Sequence, residues 1–493
     1  MNEFFLNQLY NNLTAFSSHI AFHIEGGDFS YGELKERIGA IQHQVLDKED
    51  QQYFGVITHN SIDTYAAIFA IWLSGKTAVP IGIKNPYERN QFIIDQVGIK
   101  ILFDAGDELM NFTNSLTIST LNLASVNRLP VFVEVPIDTD LYVLFTSGST
   151  GFPKGVRITR ANFDAYLLGF FSCGYRFSSS DRCIQVYELT FDASVQCYTF
   201  PLLVGASVYT LPQGGIKFLS ILKVMKEQQI TFAKMPPSVI YYLKDYFEQI
   251  RLPHLRYCLF GAEAFPIELV KKWELCVPNA EIHNVYGPTE ATINCTWYPW
   301  KRGSKNKSRN GVASIGKEYE NMRAIVCDKN LQEVTNGEAG ELCMSGPQIT
   351  PGYWKSPEHN LKAFFHFELD GDDKRFYRTG DIVIKDNDGD IQFIGRIDSQ
   401  VQIDGHRIEL GEIEYHASNF SQVKCIAQVS KSDELSHTIV LFVESATIDE
   451  DLLADYLRER LPAYMIPEKI VLLNEIPLLS SGKTDRKALL KMI

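Results

Sequence analysis

The chain has 493 residues, of which 45% are hydrophobic and 22% charged, and its formal net charge is −13 at pH 7. This length exceeds what one hydrophobic core supports, so two or more domains are expected. The negative charge argues against a general nucleic-acid surface, and the absence of a basic, apolar N-terminal leader or of an apolar run near about 20 residues argues against secretion and membrane spanning. Nine scattered cysteines without a CxxC pair argue against a disulfide framework or zinc site and indicate reduced thiols in the cytoplasm.

Strand and helix patterns alternate along the first half of the chain. An amphipathic helix is predicted over LKERIGAIQHQVL, and apolar runs typical of strands follow, each separated by a helical pattern. Repeated alternation of this kind predicts a layered, largely parallel α/β domain. The strands are predicted at 53–57, 77–81, 101–103, 181–187 and 230–234, and the helices at 64–73, 89–97, after Asn162 and at 216–227.

The stretch LYVLFTSGSTGFPKGVRITR reads as a strand, a loop and a second strand. Its glycines let backbone N–H groups converge on an anion, its hydroxyls add neutral donors, and its lysine adds a mobile positive charge. A polyphosphate is the natural ligand, although the spacing lacks the Gly-Lys-Ser/Thr ending of a Walker A loop. An ordinary Ser/Gly turn explains these residues equally well. The loop residues are Thr146, Ser147, Gly148, Ser149, Thr150, Gly151 and Lys154.

Two further motifs lie downstream. In NVYGPTEAT, Tyr286 could stack on a purine, Gly287 begins a Gly-Pro turn, and Thr289 and Glu290 offer oxygens to Mg²⁺. A tight turn with a capping threonine is the alternative. In YRTGD, Asp381 suits ribose hydroxyls, and the hairpin DIVIKDNDGDIQFIGRID ends near Arg396, which could meet a phosphate or ribose. A surface salt bridge is the alternative here.

After Arg396 the composition becomes charged and the pattern restarts, which places a domain boundary at 397–399. A helix is predicted from HRIELGEIEYHASN, and strands from CIAQVS and TIVLFVES. The final SSGKTDRK sets Lys483 on a Ser/Gly loop, where a solvated lysine is the alternative. The basic run KRGSKNKSR at 301–309 is interpreted as a solvated loop.

Taken in order, these motifs resemble the adenylate-forming superfamily of acyl-CoA synthetases, luciferases and amino-acid adenylation domains, and most closely its amino-acid branch. The resemblance covers nearly the whole chain. It runs through FSYGEL, GKTAVPI, FTSGSTGFPKG, LTFDASV, NVYGPTEAT, GELCMSGPQITPGYW, YRTGD, GRIDSQVQIDGHRIELGEIE and SSGKTDRK.

The resemblance implies an α/β fold: a large N-terminal domain over 1–397, with sheets packed by helices and a smaller β subdomain, and a small mobile α+β domain over 398–493. Asp398 would be the hinge. It further implies two half-reactions. The carboxylate of an acid attacks the α-phosphorus of ATP and releases pyrophosphate, and a thiol then takes the acyl group from the resulting adenylate.

The same resemblance assigns ATP-site roles to the motif residues. The 146–154 loop would hold the β- and γ-phosphates, Tyr286 would stack on adenine, Glu290 would ligate Mg²⁺ and Asp381 would bind ribose. Lys483 would bridge the substrate carboxylate and the α-phosphate, where it neutralises charge as two anions meet. The implied catalytic residues are Lys483, Thr146 and Lys154, and the implied ATP contacts also include Gly287, Thr289 and Arg396.

In the amino-acid branch, an aspartate after an aromatic residue binds the substrate α-ammonium, and Asp192 matches it. An α-amino acid substrate is therefore implied. Lys234 hints at an acidic or amide side chain, or it pairs with a neighbouring carboxylate, and Phe260 suggests a short side chain. Carried over position by position, the pocket comprises Phe191, Asp192, Ala193, Gln196, Lys234, Cys258, Phe260, Gly261, Val285, Ile293 and Asn294.

The chain departs from the family after the hinge, where a loop usually close to QVKIRG reads QVQIDG at 400–405, with two positive charges lost. The sequence therefore does not identify the partner whose thiol accepts the acyl group. Because the chain stops soon after Lys483, we expect a free-standing monomer that loads a separate phosphopantetheine carrier protein, as in D-alanine activation for teichoic acid or in supply to a small peptide or pyrrole pathway. Free CoA is the alternative acceptor, and a nucleotide-binding protein without turnover is the non-enzyme alternative.

Overall fold

The computed structural model describes residues 5–123, 128–148, 151–431, 437–478 and 484–492. It divides into two compact units. Unit 1 comprises Met1–Ile83, Val97–Leu144 and Gly155–Ile397, and unit 2 comprises Lys84–Gln96, Phe145–Lys154 and Asp398–Ile493. The division of the chain into domains 1–397 and 398–493, with a mobile second domain, remains a prediction.

Several helices of the described residues begin directly after a polar N-cap residue, the residue type that favours helix starts. Ser30 and Thr159 each form a capping box, accepting from the backbone of Glu33 and Asn162. The helices are α1 Phe5–Ala15, α2 Tyr31–Leu46, α3 Ile62–Leu73, α4 Tyr87–Val97, α5 Arg160–Ser172, α6 Asp192–Leu203, α7 Lys217–Glu227, α8 Pro237–Tyr242, α9 Ile267–Trp273, α10 Pro357–Ala363, α11 Leu410–Ser421, α12 Glu450–Arg458 and α13 Arg486–Leu490.

Strands make up most of the remaining regular structure. The first half of the chain contains β1 Ile20–Ile24, β2 Gly27–Ser30, β3 Tyr53–Ile57, β4 Thr77–Ile81, β5 Ile101–Asp104, β6 Leu116–Ser119, β7 Asp140–Thr146, β8 Lys154–Thr159, β9 Arg182–Gln185, β10 Ser207–Thr210, β11 Phe232–Met235 and β12 Tyr257–Phe260. The second half contains β13 Glu281–Tyr286, β14 Thr296–Pro299, β15 Ser308–Arg309, β16 Val312–Ala313, β17 Lys317–Glu318, β18 Arg323–Cys327, β19 Ala339–Ser345, β20 Phe364–Leu369, β21 Asp372–Lys385, β22 Ile391–Arg396, β23 Gln400–Ile403, β24 His406–Glu409, β25 Cys425–Lys431, β26 His437–Val443 and β27 Lys469–Leu472.

Two large sheets contain the parallel strands that the alternating pattern predicts. One has the order β17-β14-β13-β12-β11-β9-β10-β1-β2, and its pairs from β13 to β1 are parallel. The other has the order β6-β5-β3-β4-β7-β8. A smaller antiparallel sheet, β18-β19-β21-β20 with β22 on β21, forms the predicted β subdomain. Unit 2 contains the three-stranded sheet β25-β26-β27 and the two-stranded sheet β23-β24. The predicted fold class is confirmed.

The core of unit 1 explains the sequence of α3. All residues from Ile62 to Leu73 are buried, so this helix carries apolar side chains around its whole circumference. Trp72 is buried between Phe5, Phe69 and Tyr198, and its Nε1 donates to the carbonyl of Leu141 at 2.7 Å. Within the described residues, no helix combines the length and apolar character that crossing a membrane requires.

The basic run at 301–309 is more ordered than the predicted solvated loop. Lys307 Nζ lies 2.8, 2.8 and 2.6 Å from carboxylate oxygens of Asp386, Asp388 and Asp390. Arg302 donates to the carbonyl oxygens of Glu274, Val277 and Ala280. The sequence does not reveal this, because the three aspartates lie about eighty positions away, in the turn between β21 and β22.

Candidate active site

The candidate substrate pocket lies in unit 1, at the carboxyl ends of parallel strands, where loops leave the sheet. Lys234 is on β11, and Asp192 opens α6. Asn294 lies in the loop between β13 and β14, which turns sharply because Thr292 and Ile293 have φ values of 56° and 70°. The fold thus brings together residues that are up to about one hundred positions apart in the chain.

Lys234 is held by amide groups rather than by a carboxylate. Its Nζ donates to Gln196 Oε1 at 2.7 Å and to Asn294 Oδ1 at 3.3 Å, and the residue is 2% exposed. Among the described residues, no carboxylate oxygen lies within 4.0 Å of Lys234 Nζ, the distance that defines an ion pair. The predicted alternative, in which Lys234 pairs with a neighbouring carboxylate, is therefore wrong. Burial lowers the pKa of Lys234 to about 8, which leaves most of the ammonium charged at pH 7.

Two polar atoms of this pocket have no hydrogen-bond partner among the described residues. They are Asp192 Oδ2 and Gln196 Nε2, and both are buried. Burial raises the pKa of Asp192, while Lys234 and a hydrogen bond from Thr289 act in the opposite direction. An unpartnered buried carboxylate oxygen and an unpartnered amide donor are costly, and a ligand with complementary groups would satisfy both.

The register of the central sheet decides which of the predicted residues can share this pocket. β11 and β12 pair Lys234 with Leu259, and β12 and β13 pair Leu259 with His283, so these three side chains lie on one face. Cys258 and Phe260 therefore point to the opposite face. There they pack in a core with Met235, Val270 and Trp273.

The structure thus places Cys258 and Phe260 in the core and does not bring these two predicted pocket residues to the Lys234 face. Leu259, which the motif alignment missed by one position, is on the Lys234 face, and so is Val285. Gly261 fits the same face, since an added Cβ would lie 2.9 Å from the Val285 carbonyl oxygen. Gln196 and Ile293 are buried, whereas Phe191 and Ala193 are partly exposed.

The predicted nucleotide residues Tyr286, Asp381 and Arg396 are in contact with one another. Arg396 Nη1 donates to Asp381 Oδ1 at 2.5 Å, and the Tyr286 hydroxyl donates to Asp381 Oδ2. Burial, followed by Asp381, raises the pKa of Tyr286, so its hydroxyl stays protonated as a donor. The Arg396 and Asp381 side chains are 14% and 7% exposed, so this is a largely buried ion pair rather than a surface salt bridge. An ionised carboxylate is an acceptor, which is the chemistry that a ribose hydroxyl requires.

Glu290, the predicted Mg²⁺ ligand, is a buried carboxylate on a short helical turn, Thr289–Ala291. Tyr353 donates to its Oε1 at 2.6 Å, and Thr350 N donates to its backbone carbonyl. No group of three acidic, histidine or cysteine residues in the described part of the chain forms a cage for a metal. One oriented carboxylate nevertheless fits Mg²⁺, which usually takes one or two carboxylates together with substrate phosphates and water.

The predicted phosphate loop belongs to unit 2 and lies between β7 and β8, as the sequence predicts. Thr146 Oγ1 donates to Lys154 O, and Gly151 adopts a φ of 85°. Gly148 is irreplaceable, because an added Cβ would lie 1.9 Å from the Phe152 carbonyl oxygen. The backbone at Gly148 and Gly151 is thus closely constrained.

Three predicted site residues, Ser149, Thr150 and Lys483, lie outside the described residues, and their roles remain predictions. Asp398 begins the last segment of unit 2, where its Oδ1 accepts from Gln400 N at 3.1 Å. The two departures from the family pattern, Gln402 and Asp404, lie in the β23–β24 hairpin, and Asp404 occupies a left-handed turn position with φ of 49°.

Sequence reasoning missed several residues that hold the site. Tyr353 orients Glu290, and Gln348 donates to the carbonyl of Asn294 at 2.9 Å. Both residues belong to the motif GPQITPGYW. The motif indicated that this segment is near the site, but it did not indicate which of its side chains contact the site residues. Arg89 and Glu412 of unit 2, described below, carried no signal beyond their helical patterns.

Comparison with known proteins adds independent evidence. Residues 9–354 match the family described as AMP-binding enzyme. Zwittermicin A synthase ZmaJ of Bacillus cereus is 34% identical over 477 residues, which cover 93% of this chain and 89% of that protein. Tyrocidine synthase 1 of Brevibacillus parabrevis is 31% identical over 98% of this chain, but the chain spans only 44% of its length.

Two solved structures share the fold. The adenylation domain AlmE of Vibrio cholerae, in complex with glycyl-adenosine-5'-phosphate, superposes with a TM-score of 0.83 at 24% identity over 99% of this chain and 97% of that one. Holo-PA1221, a nonribosomal peptide synthetase protein containing adenylation and carrier domains, superposes with a TM-score of 0.86 at 24% identity over 99% and 84%. At this identity the likeness extends to the fold.

Proposed function

This chain belongs to the AMP-binding enzyme family, and on that premise we propose that it activates an α-amino acid with an acidic side chain as the aminoacyl-AMP. The substrate α-carboxylate attacks the α-phosphorus of ATP, the bond to the β-phosphate breaks, and pyrophosphate leaves. A carrier-protein phosphopantetheine thiol then attacks the carbonyl carbon, and AMP leaves. Mg²⁺, held by Glu290 and the phosphates, would neutralise phosphate charge.

The main support for this proposal is that one pocket contains two opposite charges, the Asp192 carboxylate and the Lys234 ammonium, which do not form an ion pair with each other. Asp192 offers a buried carboxylate oxygen that has no partner among the described residues, which suits the α-ammonium of an amino acid. Once that ammonium neutralises Asp192, the buried Lys234 lacks an opposite charge, because its hydrogen-bond partners Gln196 and Asn294 are neutral. Buried charges are tolerated when paired, so a substrate with a second carboxylate balances the pocket.

The donors around Lys234 support the same conclusion. Gln196 uses its oxygen to accept from Lys234, and its Nε2 has no partner in the described part of the chain, so the pocket presents an ammonium and an amide N–H together. A carboxylate accepts from both donors. An amide side chain would accept through its oxygen but would leave the positive charge of Lys234 unbalanced. We therefore propose aspartate or glutamate, in either stereochemistry, ahead of asparagine or glutamine.

The test is amino-acid-dependent ATP–pyrophosphate exchange with the full chain over a panel of acidic, amide and neutral amino acids. Exchange is expected with an acidic member, and Lys234→Met is expected to lower kcat/KM for it by about 100-fold. Lys271→Met removes a half-exposed lysine on α9 and is the matched control. Exchange with neutral amino acids only would overturn the acidic side chain, whereas no exchange with any amino acid would overturn amino-acid activation itself.

Carrier loading is tested separately, by following transfer of the radiolabelled aminoacyl group to a phosphopantetheinylated carrier protein or to free CoA. The proposal expects transfer to the carrier. Transfer to CoA alone would instead support the ligase that uses CoA. The similarity to holo-PA1221, which contains adenylation and carrier domains, supports the first acceptor.

A further inference from the structure

The described part of the phosphate loop is bound by carboxylates of its own chain. Gly148 N donates to Glu412 Oε2 at 3.1 Å, and Lys154 Nζ lies 3.7 Å from Glu409 Oε1. A backbone N–H and an ammonium are the donors that hold phosphate oxygens in such loops. In unit 2, therefore, two side-chain carboxylates occupy donors that the proposed function assigns to ATP.

Glu412 is fixed in this position by a second partner. Its Oε1 accepts from Arg89 Nη1 at 2.6 Å, and the two side chains are 0% and 5% exposed. A buried carboxylate is stable only when its charge is paired and its oxygens accept hydrogen bonds. Arg89 supplies the charge and Gly148 supplies the additional hydrogen bond, so each Glu412 oxygen has its own partner.

The surrounding contacts show that β24 and α11 both fit the described part of this loop closely. Ser147 Oγ donates to Arg407 O at 2.9 Å and accepts from Glu409 N at 3.1 Å. The Phe152 ring packs against Tyr415, with ring centroids 5.7 Å apart. An added Cβ on Gly151 would lie 2.1 Å from the Tyr415 ring, so a glycine is required there.

We propose that Glu412 competes with the polyphosphate of the nucleotide for the loop, so that the loop binds either phosphate or Glu412. One N–H at this position cannot donate fully to two anions, and two anions at hydrogen-bonding distance from it repel each other. Departure of pyrophosphate frees Gly148, Glu412 takes its place, and Arg89 holds Glu412 there. Pyrophosphate rebinding, and with it reversal of adenylate formation, is then opposed. The inference rests on the phosphate role proposed for the loop, and it makes Glu412 and Arg89 positioning residues.

The test measures binding of inorganic pyrophosphate with Mg²⁺ to the full chain by titration calorimetry, which needs no turnover. Glu412→Gln removes the competing charge and is expected to lower the Kd for pyrophosphate at least about fivefold. Glu414→Gln is the matched control, because Glu414 lies on the same helix but binds Arg486 at 2.8 Å and Ala427 N rather than the loop. Its Kd is expected to equal that of the unmodified chain.

Arg89→Met alone would leave Glu412 buried without its charge partner and could unfold the unit. The double variant with Arg89→Met and Glu412→Gln removes both charges and is expected to reproduce the tighter binding. A Kd within twofold of the unmodified chain in both variants overturns the competition. If the unmodified chain binds pyrophosphate but exchanges no amino acid, the proposed substrate fails while the competition is still decided by these Kd values.

Discussion

Asp192 and Lys234 are buried charged groups whose desolvation destabilises the ligand-free chain. Both charged groups lie in a buried pocket, where the pKa of the carboxyl is raised and that of the ammonium is lowered, in each case chiefly by burial. The burial of Asp192 is not fully compensated by hydrogen bonds within the pocket, since its Oδ2 has no partner among the described residues. The folded chain therefore carries an energetic penalty that the proposed zwitterionic substrate would relieve.

Asp192→Asn is expected to abolish amino-acid-dependent exchange and yet to stabilise the ligand-free chain at pH 7 by about 1 kcal/mol. A carboxyl whose pKa is raised by folding contributes its full stability below its unfolded pKa of about 3.9, and that contribution is lost as the pH rises through the folded pKa. Thermal unfolding should thus favour the variant at pH 7, and the advantage should shrink as the pH falls toward 4. A variant less stable than the parent at pH 7 contradicts this argument.

At the scale of elements, strand register decides which residues face the substrate. Because side chains alternate along a strand, an alignment shifted by one residue exchanges the two faces of the sheet. Pairing of Lys234 with Leu259 fixes β12 so that Cys258 and Phe260 face the core containing Trp273. The motif identified β12 as a strand of the pocket, whereas its pairing with β11 and β13 determined which of its side chains share the face of Lys234.

A second element contact ties the 301–309 loop to the β21–β22 hairpin. Lys307 is the shared partner of Asp386, Asp388 and Asp390, three carboxylates in one turn. Burial alone would raise the pKa of Asp386, but hydrogen bonds from Lys307 and from two backbone N–H groups lower it. Without the lysine, three like charges would repel each other at close range.

Lys307→Met is therefore expected to lower the thermal unfolding temperature at pH 7 by a few degrees, and added salt should reduce the difference by screening. A carboxyl whose pKa is lowered by folding stabilises the fold above about pH 3.9, and this contribution disappears as the pH falls through the folded pKa. The deficit of the variant should accordingly shrink below pH 4. Lys305→Met changes an exposed lysine of the same loop and should have no effect. Equal losses in the two variants would contradict the role of the aspartates.

Across the whole molecule, the residues proposed for the two half-reactions are spread over nearly the full chain. The substrate pocket, Glu290 and Asp381 belong to unit 1, whereas the phosphate loop and Asp398 belong to unit 2. Lys483, also in the sequence of unit 2, is the group that the family resemblance assigns to the attacking carboxylate and the α-phosphate. Its charge matters where two anions meet, which happens only during adenylation.

Lys483→Ala is accordingly expected to lower ATP–pyrophosphate exchange by about 100-fold or more, because charge on the pentacoordinate phosphorus is no longer neutralised. Transfer from chemically prepared aminoacyl-AMP to the carrier thiol should change by only a few-fold. Single-turnover assays of each half-reaction on the same preparation provide the measurement. Lys487→Ala, in the basic helix α13, is the control. Equal losses in both half-reactions would contradict a role restricted to adenylation.

The fold class, the family and the motif positions could be predicted without a structure, because ordered motifs such as FTSGSTGFPKG and YRTGD carry local chemistry that needs no tertiary information. Hydrophobic period and turn residues likewise determined β3, β4 and the β21–β22 hairpin. These features depend on residues that are close together in the chain.

Which side chains contact one another became known from the folded structure alone. It placed Leu259 rather than Phe260 beside Lys234, gave Lys234 amide partners rather than a carboxylate, joined Lys307 to three distant aspartates, and set Glu412 on the Gly148 amide. Each of these contacts joins residues that lie from about 25 to more than 250 positions apart. The physical reason is that sheet register and the pairing of buried charges are properties of the assembled fold, where the low-dielectric interior makes an unpaired group costly.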